Sequence, residues 1–155
     1  MKRFFLASAL IGALLATPAM AQPIPDKGLK IEQVASWLKD HGYRAEIIND
    51  NDGQRIRSGV EGVTFNVYMM DCHGGDTCES VQLLAGFNMT DGMTLEKANE
   101  WNKTKRWAMV SLDNENDPYL STDISLWPGS SYEALQDAFS VWANSVSAMK
   151  TFIDW

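Results

Sequence analysis

Cys72 and Cys78 bracket the loop His73-Gly74-Gly75-Asp76-Thr77, at facing ends of two segments that alternate like β-strands. That spacing admits two chemistries. In an oxidising compartment the thiols join as a disulfide, and closing so short a loop contributes roughly 2 kcal/mol on the chain-entropy estimate. The alternative is a thiol redox pair in which His73 lowers the pKa of Cys72, although five intervening residues depart from the Cys-x-x-Cys spacing of thiol oxidoreductases. Cys72, His73, Asp76 and Cys78 supply enough donor atoms for zinc, but structural zinc takes ligand pairs from two separated segments, and the sequence holds no second Cys or His cluster. No metal and no cofactor is expected.

Other candidate chemistry fares less well. Asp50, Asp52 and Gly53 imitate positions 3, 5 and 6 of a calcium loop, yet positions 1 and 12 fall on Ile48 and Gly59, neither of which brings a carboxylate. His41 and His73 are the sole histidines, and neither a Gly-x-Ser-x-Gly elbow nor a His-Glu-x-x-His helix occurs. No catalytic residue is assigned. The segment from Thr94 to Thr104 is less ordinary: Leu95, Asn99 and Asn102 fall in line at i, i+4 and i+7, with Ala98 and Trp101 to one side. Amides placed on a packing stripe need partners. They either tie the helix to a sheet or a subunit interface, or they contact a ligand, which makes Asn99, Trp101 and Asn102 the candidate binding residues.

These positions must be held by regular elements. Ile31, Val34, Ala35 and Leu38 form one stripe of a helix that stops at Gly42. Tyr43, Ala45 and Ile47 alternate weakly, and Asn49-Asp50-Asn51-Asp52-Gly53 then turns into Gln54–Ser58 as a hairpin. Val63, Phe65, Val67 and Met69 alternate with polar neighbours, as do Val81, Leu83, Ala85, Phe87 and Met89. After the Thr94-capped helix, Arg106–Asp113 and Tyr119–Leu126 form two strands joined through an Asp117-Pro118 turn. A long helix follows, with a capping box at Ser130 and Glu133 and a stripe of Leu135, Phe139, Trp142, Val146, Met149 and Ile153. The expected class is α+β, an antiparallel sheet flanked by helices in the order α-β-β-β-α-β-β-α.

The chain has 155 residues, 13 Lys plus Arg and 20 Asp plus Glu, for a net charge of −7. That balance offers no basic footprint for nucleic acid. Lys2 and Arg3 precede an apolar stretch, Phe4–Ala16, and Ala19-Met20-Ala21 supplies a small-x-small site, the pattern of a signal peptide cut between Ala21 and Gln22. Thirteen apolar residues are too few to span a bilayer, which takes about 20. Residues 1–21 are therefore expected to be removed, 22–29 to form a short tether, and 30–155 a single domain without a membrane span. Removal takes away two cations and no anions, leaving −9 on a periplasmic or secreted chain.

The stretches Gly42–Ile47, Ile56-Arg57-Ser58, Val63–Cys72, Cys78–Phe87 and above all Thr94-Leu95-Glu96-Lys97-Ala98-Asn99-Glu100-Trp101-Asn102 resemble the YbjN domain of bacterial sensory transduction regulators. The resemblance covers residues 30–155. It implies a fold like that of type III secretion chaperones, a tendency to form a homodimer, and no established catalytic residues. The signal peptide sets this chain apart from cytoplasmic members. The expected function is a non-catalytic exported binding or regulatory module, with a chaperone-like hold on a protein or peptide, against an exposed strand or an apolar surface, as its specific form. The thiol redox role of Cys72 and Cys78 is the alternative.

Overall fold

The computed structural model describes residues 21–155, so the apolar stretch Phe4–Ala16, expected to belong to a signal peptide, lies outside the described residues. The elements are β1 Leu29–Lys30, α1 Ile31–Asp40, β2 Glu46–Asp50, β3 Gly53–Val60, β4 Val63–Cys72, β5 Thr77–Gly86, α2 Leu95–Thr104, β6 Met109–Leu112, β7 Pro118–Ser125 and α3 Tyr132–Ile153. The class is α+β, with three helices and one seven-stranded antiparallel sheet in the order β2-β3-β4-β5-β7-β6, to which β1 adds on β5. Four strands, where the expected order had three, lie between α1 and α2. The additional arm is β2, an edge strand whose side chains are nearly all exposed, so its sequence alternates weakly.

Alternation gives the sheet two unlike faces. Register places Ile56, Val67, Leu83 and Phe65 on one side with Val81, Ala85 and Leu120, all buried. Gln82 and Asp123 lie on the other and share a hydrogen bond of 3.0 Å. Helix α3 covers the apolar face: all six residues of its predicted stripe are buried, and Phe65 meets Trp142 edge-on with ring centroids 5.6 Å apart. Helix α1 completes the layer through Trp37, whose ring lies 5.0 Å from that of Phe139. The α3 cap sits one residue beyond its predicted place. Ser131 accepts from the Ala134 N–H at 3.1 Å, while the Ser130 hydroxyl donates back to the Ser125 carbonyl at 3.4 Å.

The chain leading into β1 corrects the expected tether. Ile24 is 2% exposed, its N–H donates to the Ser130 carbonyl at 2.9 Å, and Pro23 bridges to Ser131. Leu29 and Lys30 then pair with Cys78 and Thr77. Residues 22–29 are a packed lead-in, and a Pro-rich composition concealed this because proline limits donors without preventing burial.

Gly28 makes the docking of β1 feasible. It adopts φ +74°, and a Cβ there would lie 1.9 Å from the Cys78 carbonyl oxygen. Gly28→Ala is expected to cost at least about 2 kcal/mol in urea unfolding, since both the left-handed backbone and a backbone collision oppose it. At the β2 edge of the sheet, Arg55 donates to both carboxylate oxygens of Asp50, at 2.6 and 2.9 Å, and these bonds hold the Asp50 carboxyl below its usual pKa. A lowered folded pKa gives stability that is present above the unfolded value and lost as pH falls through the folded one. Asp50→Asn should therefore weaken the domain at pH 7 and make its stability less steep between about pH 4 and the folded pKa, as acid titration of the unfolding midpoint would show.

Candidate functional site

The facing strands bring the two cysteines together. Cys72 and Cys78 are directly opposite in the β4–β5 register, with Cα atoms 4.1 Å apart, and they form a disulfide. Cys78 is buried beneath β1, whereas Cys72 is exposed. His73 turns away from the sulfurs: its Nε2 lies 3.1 Å from Glu79 Oε2, while Asp76 pairs with Lys30 at 3.2 Å. These contacts and the disulfide fasten the 73–76 loop to its own strand ends and to Lys30, just before α1. Among the described residues, no group of three or more Cys, His, Asp or Glu side chains is placed to hold a metal.

The middle helix, α2, lies along the outer edge of β6. Thr94 caps it by accepting from the Lys97 N–H at 3.2 Å. Its packing stripe differs from the expected one: Ala98 and Trp101 are buried, while Leu95 is 67% exposed and Asn99 faces solvent. The physical reason is that one indole buries more apolar area than Leu95 would, and its single polar atom is answered, since Trp101 Nε1 donates to the Ala108 carbonyl at 2.9 Å. Asn102 makes a reciprocal pair with β6. Its Nδ2 donates to the Val110 carbonyl at 3.0 Å, and its Oδ1 accepts from the Val110 N–H at 2.8 Å. Of the three candidate binding residues, Trp101 and Asn102 thus meet on one backbone edge, and Asn99 stands apart from it.

Beyond that edge is a corner the sequence reading did not single out. Lys103, Lys105 and Arg106 fall within four residues, and none makes an ion pair among the described residues. Arg106 lies over the Trp107 ring, 4.7 Å from its centroid, and Lys105 over Trp101 at 5.6 Å. Trp107 is 59% exposed and Met109 64%. The Thr122 hydroxyl donates to the Trp107 carbonyl at 2.8 Å and fixes its backbone on β7. Hollows of about 290 and 300 Å³ open on either side of the indole, both bounded by Val141 of α3. Small residues make that room, with Ser145 and Ala148 beside one hollow and Ala134 and Ala138 beside the other. The signal was available as Lys-x-Lys-Arg-Trp-x-Met, but strand assignment of residues 106–113 hid which of those side chains stay outside.

Residues 30–155 match the family model for YbjN, described as "Putative bacterial sensory transduction regulator". No curated protein matches the chain. The geometry of α2 separates two amides that sequence alone treats alike. Asn102→Ala strips both partners from Val110 and should lower stability by about 1–3 kcal/mol. Asn99→Ala should stay within about 0.5 kcal/mol of the parent, and parallel thermal and urea unfolding of the two variants checks the contrast.

Proposed function

The chain belongs to the YbjN family, and from that premise we propose that it is an exported, non-catalytic regulatory module that works by holding a protein or peptide segment at the corner formed by α2, β6 and α3. The observation that carries this reading is the exposed Trp107, which borders both hollows, beside three cations without ion pairs among the described residues. Exposed aromatic and Met side chains around a concavity are the usual anchors of protein recognition. The charge matters equally. The whole chain is acidic, at −7, so Lys105 and Arg106 beside the first hollow are a local reversal that favours an apolar segment carrying Asp or Glu there, whereas Asp123 and Asp137 border the second hollow.

Export of the mature chain follows from the charged, apolar and small-residue parts of its first 21 residues. The disulfide is consistent with that compartment. A second copy of this acidic chain is one partner that meets the charge requirement, which keeps a homodimer within the proposal.

Site-specific photocrosslinking from position 144, which borders the hollow beside Lys105 and Arg106, in the exported protein tests the reading. One discrete adduct should form in cells, weaken roughly tenfold when Lys105 and Arg106 are both replaced by Glu, and persist when Lys39 on α1 is replaced by Glu. Its mass distinguishes a second copy from another partner. An adduct indifferent to the Lys105 and Arg106 replacements would remove the corner from the function, and recovery of the chain in the cytoplasmic fraction would remove export.

A further inference from the structure

Gln22 is the residue at which the predicted signal cut would place the new amino terminus, and the fold already grips it. Its backbone nitrogen donates to Glu133 Oε1 at 3.0 Å, and its carbonyl accepts from the Tyr132 N–H at 2.9 Å. Ile24, two residues on, is buried and bonded to Ser130. Glu133 stands in the first turn of α3, where the helix terminus favours a carboxylate. Hydrogen bonds from Gln22, from its own backbone N–H and from Ser131 hold that carboxyl below its ordinary pKa. The same nitrogen borders a cleft of about 460 Å³ whose titratable lining is Asp40 and His41 of α1 and Tyr132 and Glu133 of α3.

We propose that signal removal turns this contact into an ion pair: the α-ammonium of Gln22, freed by cleavage between Ala21 and Gln22, docks on Glu133 and makes the processed terminus a structural part of the domain. The inference rests on the export reading above and goes beyond it, because it assigns a role to the bond that is cut. An internal amide brings one N–H and no charge to Glu133. The freed terminus brings three and a positive charge, at a nitrogen already within hydrogen-bond distance of the Glu133 carboxylate.

Docking also decides the chemistry open to an amino-terminal glutamine. Its free amine attacks its own side-chain amide, forming the N–Cδ bond of a lactam while the Cδ–Nε2 bond breaks and ammonia leaves; the amine proton ends on the departing nitrogen. Only the unprotonated amine is nucleophilic. An ammonium held by Glu133 keeps its proton and is protected, and the contact is lost as rising pH removes that proton.

The test uses protein recovered after export, as parent, Glu133→Gln and Asp137→Asn. Intact mass identifies the amino terminus, and amine-selective labelling at pH 7 measures its reactivity, with circular dichroism confirming that each variant is folded. A chain beginning at Gln22, labelled at least roughly threefold faster and losing ammonia sooner in Glu133→Gln but not in Asp137→Asn, establishes the docked ammonium. A chain beginning at Gln22 with equal reactivity in all three, or with the same acceleration in Asp137→Asn, overturns it and leaves the export reading intact. A chain beginning elsewhere overturns the export reading and the inference with it.

Discussion

Strand β5 is the central constraint, because its backbone needs a partner along the full length of both edges. One edge takes β4. The other is shared by β7, opposite residues 80–86, by the Leu126 N–H, which donates to the Glu79 carbonyl at 2.7 Å, and by β1, opposite Cys78 and Thr77. Two distant pieces of chain thus meet end to end along one strand. The lead-in must arrive where β7 stops, which sets the position of α1, and α1 with α3 closes the apolar face over Phe65 and Leu83. Gly28 is the small residue at the junction where a side chain would strike the β5 backbone.

The disulfide acts on the same junction. It ties β4 to β5 where β1 adds, so three strands are secured within a few residues of one another. Its partner sulfurs differ in environment, Cys72 outside and Cys78 under β1. The opposite end of the molecule has no such fastening. There, α2 rests on β6 through Trp101 and Asn102, and exposed aromatic and cationic groups gather beside it. The covalently secured end and the surface rich in recognition groups are therefore separate regions of one sheet.

Periodicity made the long elements legible. Leu135 through Ile153 declares α3, and the alternations at 63–69 and 81–89 declare the central strands, because one buried face imposes a period on every residue that touches it. Placing the cysteines at facing strand ends was enough to read the loop between them. Short elements escaped: β1 has two residues and leaves no pattern, whereas the β2–β3 hairpin was legible from its turn residues although β2 itself buries almost nothing. Ile24 was lost among prolines. In α2, spacing could not tell a stripe of Leu95, Asn99 and Asn102 from one of Ala98 and Trp101, because the decision rests on the Ala108 and Val110 backbone, which only the folded chain brings within reach. Exposure of Trp107 was hidden for a related reason, since an indole beside a strand reads as core.

Asn102 also has a meaning for the company this protein keeps. An uncovered final strand is an invitation to a neighbour's backbone. By answering both groups of Val110 with one amide, the chain withdraws the middle of that invitation. A backbone seeking to extend the sheet on the β6 side finds that central position already paired by a single side chain.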